Sequence, residues 1–160
     1  MSRLALIFIT GCLLMNTIEV AKANPNQLAQ LPQSPSISSQ LQLLTGTWEG
    51  TYVCAQGLTR LKLVIAANST TEINAVFTFF PHPSNPSVPS GSFRMIGTYT
   101  NFNSREIPGL LELKGTTWII RPSGYMTVDL RGNLFTSDNR IIGDVIAGGC
   151  SKFDLIKSGI

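Results

Sequence analysis

His82 is the sole histidine of the 160-residue chain, and an imidazole that titrates near neutral pH is the usual first candidate for general acid or base chemistry. It lies between Pro81 and Pro83, in a stretch that also holds Pro86 and Pro89. Such a stretch reads as a surface loop, because proline cannot donate to a sheet ladder. Glu49 and Glu112 form a second candidate, since paired carboxylates carry out sugar cleavage, but Glu49 falls on the outward parity of its segment. No Gly-x-Ser-x-Gly, His-Glu-x-x-His or phosphate-binding loop occurs. Catalysis is therefore not expected.

The three cysteines are Cys12, Cys54 and Cys150. Two cysteines and one distant histidine do not make a zinc site, and neither thiol has a basic neighbour that would make it a nucleophile. No metal and no cofactor are expected. The first 23 residues read as an export signal, with Arg3 as the positive start, Leu4 to Met15 as the apolar run, and Ala21-Lys22-Ala23 as the cleavage pattern. As a helix that run spans roughly 18 Å, short of a hydrocarbon core of about 30 Å, so no permanent transmembrane anchor is expected. A rival reading takes Ile9-Thr10-Gly11-Cys12 as a lipobox with Cys12 lipidated. It is disfavoured because the apolar run continues past Cys12 through Leu13, Leu14 and Met15. Cleavage before Asn24 leaves Cys54 and Cys150 as the only thiols of a periplasmic or extracellular protein, where an even pair forms a bridge. Such a bridge closes a span of 96 residues between the first and last expected strands, which chain entropy values at roughly 4 to 5 kcal/mol.

Charged residues are 13% of the chain, against about 25% in ordinary globular proteins. The polar surface must therefore be mostly Thr, Ser, Asn and Gln. The net charge of +3 is spread without a basic block, so no nucleic-acid partner is expected. The length accommodates one domain plus appendages. Residues 24 to 43 contain no charge and are rich in Gln, Ser and Pro, a composition that reads as a disordered tether, and the folded domain is expected over residues 44 to 160.

From Leu44 onward apolar residues recur at every second position between Gly, Asn, Ser and Pro punctuation, the period of half-buried strands. Trp48, Gly50, Tyr52 and Cys54 share one face of the first segment. Leu61, Leu63 and Ile65 do so in the second, Ile73, Ala75, Phe77 and Phe79 in the third, and Phe93, Met95, Gly97 and Tyr99 in the fourth. Leu110 to Arg121 reads as one bent strand, or two joined at Gly115. Tyr125 to Phe135, Arg140 to Ile146 and Lys152 to Lys157 follow. The expectation is all-β: an antiparallel up-and-down meander of seven or eight strands closed into a small barrel, since closure alone removes both sheet edges. A sandwich competes, but it would need long Greek-key connections.

Leu44-Thr45-Gly46-Thr47-Trp48 at the start of the first strand resembles the opening of avidins and the Gly-x-Trp signature of lipocalins. The resemblance implies a calycin-like barrel in which the Gly lets the chain cross the floor closely, the Trp plugs that end, and a late basic residue, here Lys157, stacks on the Trp. The biotin site of avidins is not carried over, because the residues after Trp48 and the later tryptophans differ. Tyr52-Val53-Cys54, Cys150 and Ser90-Gly91-Ser92-Phe93 resemble periplasmic and membrane-bound inhibitors of chicken-type lysozyme, which implies a Ser-Gly loop that enters the enzyme's cleft. Phe93 stands where that loop has Tyr, and the family's Thr-Lys-Gly element is missing.

These readings converge on an exported, monomeric, non-enzymatic binding module of the cell envelope. Its partner would be a small apolar ligand, a glycan or a protein. The alternative is a lysozyme-type inhibitor acting through Pro81 to Phe93. Candidate contacts are Phe80, His82, Ser90, Gly91, Phe102, Trp118 and Tyr125, because aromatics at rims carry disproportionate contact energy. A barrel filled solidly by its inward Phe, Leu, Ile and Met residues is the competing expectation to a cavity.

Overall fold

The computed structural model describes residues 37–67, 72–102 and 109–159. Residues 1–23 of the expected export signal, with Cys12, and residues 24–36 of the expected tether lie outside the described residues.

Eight strands run in chain order: β1 (Gly46–Cys54), β2 (Gly57–Ala67), β3 (Glu72–Pro81), β4 (Gly91–Asn101), β5 (Gly109–Ile120), β6 (Asp129–Phe135), β7 (Arg140–Ile146) and β8 (Lys152–Ser158). Each pairs antiparallel with the next, and β8 pairs back onto β1 to close the barrel. Every second residue points inward, as the alternation requires. Trp48, Leu63, Ile73, Ile141 and Leu155 are fully buried among aliphatic neighbours and fill one half of the interior. That half is solid core.

The segment expected over Leu110 to Arg121 forms the single strand β5, Gly109–Ile120, and its ladder to β4 shifts register between Phe93 and Met95, where Met95 faces Gly115. Beyond Gly115 this strand keeps β4 as a neighbour but loses β6, whose pairing with it covers only Gly109 to Leu113. The sheet is therefore splayed at one end, between β5 and β6.

Two local expectations are corrected. The strand placed over Tyr125 to Phe135 begins only at Asp129. Gly124, at φ 80°, reverses the chain, and the Tyr125 amide donates to the Pro122 carbonyl at 3.3 Å. The Tyr125 ring then stacks on Phe79, because an aromatic face gains more by covering the open barrel end than by extending a ladder. Asp129 re-joins the sheet, its Oδ1 accepting the Gly115 amide at 2.9 Å.

Residues at the end of the expected tether are helical: α1 spans Ile37–Leu44. Leu41 and Leu44, one turn apart, are buried against the barrel floor. Three of its last four carbonyls have partners of the kind a helix terminus needs. Leu41 accepts the Thr45 amide and hydroxyl, each at 3.2 Å, Leu43 accepts Lys157 Nζ at 2.6 Å, and Leu44 accepts the Trp48 indole at 2.8 Å. Lys157 Nζ also lies 5.4 Å from the Trp48 ring centroid, and burial pushes its ammonium down from the ordinary lysine value. Among the described residues no helix is long and apolar enough to cross a membrane.

Arg140 on β7 holds Asp154 on β8 through two hydrogen bonds, Nε to Oδ1 at 2.7 Å and Nη2 to Oδ2. The Arg140 bond keeps the Asp154 carboxyl below its ordinary value. A carboxylate with a depressed folded pKa adds stability above its unfolded pKa, near 3.9, and loses it as pH falls through the folded value. Asp154→Asn is thus expected to lower the urea midpoint at neutral pH and to converge on wild type at an acid pH below the depressed folded pKa. The effect is modest because both groups are partly solvated. An equal difference at both pH values contradicts the assignment.

Candidate functional site

Strand ends sort into two poles. At the floor lie α1 and Trp48. At the other pole, the mouth, lie the β1–β2 turn (55–56), the Pro-rich loop (82–90), the 121–128 crossing and the β7–β8 turn (147–151). Here the interior is not full. A cavity of about 450 Å³ opens at the mouth, toward the lower end of the range of roughly 300–1,000 Å³ typical of small-molecule sites.

Its depth is aromatic. Phe77 and Phe93 stack with centroids 4.6 Å apart, Tyr52 stands edge-on to Phe77 at 5.4 Å, and Tyr125 stacks on Phe79 at 5.3 Å. Met126, Val128, Ala147 and the Cys54–Cys150 bridge form the upper wall. The expected disulfide is therefore present, and it sits in the cavity lining.

Besides Thr127 and the Tyr125 phenol, a hydrogen-bonded polar cluster interrupts the apolar surface. Gln56 Nε2 donates to the Tyr52 hydroxyl at 3.0 Å and to Thr59 Oγ1 at 3.4 Å, and Thr59 passes its own proton to the Gly57 carbonyl at 3.1 Å. Burial pushes the Tyr52 phenol well above its ordinary value, against the opposing bonds from Thr59 and Gln56, and the Tyr125 phenol raises it further. Tyr52 is accordingly a neutral hydrogen-bonding group. Among the described residues no Asp, Glu, His, Lys or Arg lines the cavity, and no cluster of three or more groups able to hold a metal ion occurs.

The structure brings six of the seven candidate contacts to the mouth pole, but only Tyr125 lines the cavity. Trp118 packs behind the wall, 5.1 Å from Phe93 and 6.4 Å from Phe79. Phe80 faces outward beneath the Arg60 guanidinium, 4.8 Å from its ring centroid. His82 Nδ1 lies 2.7 Å from Ser84 Oγ and accepts the Ser84 amide, a local turn. Phe102 is exposed at the opposite pole, beyond β4. Glu49 and Glu112 stand on β1 and β5, four strands apart and both exposed, and Glu112 meets Arg131 at 3.4 Å.

The Pro-rich loop is tied down. Asn85 Nδ2 donates to the Gln56 carbonyl at 2.5 Å and to Leu58 at 3.3 Å, and Val88 is buried. Of the element Ser90-Gly91-Ser92-Phe93, Ser90 alone is exposed. Gly91 opens the β4 ladder, so close to Phe79 and Pro122 that no side chain fits there, and Phe93 points into the barrel. An inhibitory loop that must enter an enzyme cleft would need these residues outside.

Fold and site together define a class: a small closed antiparallel barrel with an uncharged aromatic cavity at one end and a helix at the other. Comparison with models of known protein families gives no match, and comparison with curated proteins gives no significant relative.

Proposed function

We propose that this protein is an exported, monomeric, calycin-like binding barrel of the cell envelope, which holds a small and mainly apolar ligand at its mouth and performs no chemistry on it. The single observation that carries the reading is the aromatic cavity, whose mainly apolar lining includes the hydrogen-bonded pair Tyr52–Gln56, backed by the buried Thr59, and Thr127 as its polar side chains beside the Tyr125 phenol. Such a lining selects a flat or branched hydrocarbon body with one hydrogen-bonding group. The absence of any charged side chain from the lining supports binding over catalysis, since nothing there can shuttle a proton at neutral pH. The signal-like leader and the disulfide support export, and the Trp48–Lys157 contact supports the calycin type.

The test is a fluorescence titration of the chain from Asn24 with N-phenyl-1-naphthylamine, an uncharged aromatic dye. One-to-one binding is expected with a Kd of roughly 10–200 μM, from about 0.3 to 0.4 kcal/mol per heavy atom. Val128→Trp, which places an indole into the cavity, should weaken binding at least tenfold while the far-ultraviolet circular dichroism stays unchanged. Absence of saturable binding, or an affinity that Val128→Trp leaves intact, overturns the reading.

A further inference from the structure

The mouth is ringed on one side by apolar side chains that face water. Ile120 is 61% exposed and Ile119 49% at the end of β5, Met126 is 76% exposed in the 121–128 crossing, and Ile146 is 53% exposed at the end of β7. All four sit at the mouth ends of their elements: Ile119, Ile120 and Met126 follow one another through the end of β5 and the crossing, which leads into Asp129 of β6, and Ile146 of β7 pairs with Asp129. Scattered exposed apolar residues need no explanation, but a cluster beside a ligand-sized opening does.

Charge at this pole has one prevailing sign. Arg121 follows Ile120 directly, its Nε donating to the Tyr125 carbonyl at 3.3 Å and its guanidinium 6.0 Å from the Trp118 ring centroid. Arg60 and Arg94 lie within three residues of the mouth ends of β2 and β4. None of these three arginines has a carboxylate partner among the described residues. Two of the carboxylates nearby are ion-paired. Asp144 holds Lys152 at 2.5 Å, Asp154 is held by Arg140, and Asp129 accepts the Gly115 amide.

We propose that this rim is a membrane-docking surface, on which Ile119, Ile120, Met126 and Ile146 enter the interface of an anionic phospholipid bilayer while the arginines engage its headgroups. The inference rests on the cavity reading for its purpose. An apolar ligand is far more soluble in a bilayer than in water, and a barrel docked mouth-down exchanges it without an aqueous crossing. Apolar insertion and headgroup attraction add, as for any interfacial anchor.

The test is co-sedimentation of the chain from Asn24, which keeps the whole compact unit Ser34–Ile160, with vesicles of phosphatidylcholine alone or with added phosphatidylglycerol. Binding is expected to favour the anionic vesicles and to fall with salt. Ile120→Asp/Ile146→Asp, at positions that do not line the cavity, should weaken it about a hundredfold. Arg121→Gln should weaken it about fivefold and only on the anionic vesicles. Dye titration without lipid separates the two readings. The double aspartate variant should keep wild-type dye affinity, which also shows that it is folded, whereas Val128→Trp should lose the dye and keep the vesicles. Docking is overturned if wild type ignores anionic vesicles, or if the double aspartate variant binds them as well as wild type. It is equally overturned if the rim proves to be a contact between two copies, seen as a dimer in solution that the double variant converts to monomer.

Discussion

Cys54→Ala/Cys150→Ala is expected to destabilise the barrel by about 2 to 4 kcal/mol, a fall in Tm of roughly 10 °C for a domain of this size, and to weaken dye binding about tenfold. Both effects have one origin. The β1–β8 ladder that closes the barrel ends at Tyr52 opposite Phe153. Beyond it the seam at the mouth is held by the bridge, which spans 96 residues of sequence, and by the Ser151 amide donating to Val53 at 2.9 Å. Without the bridge the unfolded chain regains the entropy of an open loop. In the native state the 147–151 turn, which carries Ala147 and Gly148 of the cavity wall, is freed at the same time. A ligand must then order that turn on binding, at roughly 0.5 to 1.5 kcal/mol per side chain. Thermal unfolding and dye titration of the double variant measure the two effects separately. A variant that loses stability but binds dye as wild type does would show that the bridge staples the fold without holding the wall.

Gly97→Ala is expected to be more severe, above about 4 kcal/mol, the range reserved for disrupted cores and backbones. A Cβ at Gly97 would stand 1.8 Å from the Glu112 carbonyl oxygen and 2.9 Å from Leu113 Cα. Those atoms are backbone of the paired strand, so no rotamer change relieves the clash, and β4 and β5 must part there. Gly50 repeats the arrangement on the opposite wall, where a Cβ would meet the Asp154 carbonyl at 2.0 Å. Tight coiling of a small barrel brings neighbouring backbones together at such corners, which is why glycine interrupts otherwise good strand sequences. Gly148→Ala is the matched control. Nothing lies within 4 Å of that position, and a change within about 0.5 kcal/mol is expected. Urea unfolding of the two alanine variants decides it, and equal midpoints would contradict the packing argument.

Phe102 and Phe80 show where one-dimensional reading stops. Both were singled out as aromatics exposed at rims, yet one lies at the pole away from the cavity and the other lies under Arg60. Parity along a strand tells inside from outside. It does not tell which end of the barrel a residue occupies, because that depends on strand direction and stagger. Phe77, Phe79, Phe93 and Tyr52 were read correctly as inward, but not as the bed of a cavity. Their rings leave space because they gather at one height, where the splay of β5 from β6 widens the interior. Gln56 carried no signal, since a glutamine in a short turn is ordinary until Tyr52 and Thr59 come within reach of it.

Alternation of apolar residues, turn punctuation and an even pair of cysteines were enough to determine an antiparallel barrel of seven or eight strands and its bridge, because a half-buried strand imposes a period of two and closure is what hides the sheet edges. Position around and along the barrel was decided only by the tertiary structure. Leu41 and Leu44 make 37–44 a helix because the floor offers them a place to be buried, and Tyr125 leaves its strand because Phe79 offers it a stacking face. Neither partner is near in sequence, and packing between distant residues outweighs local propensity wherever the two compete.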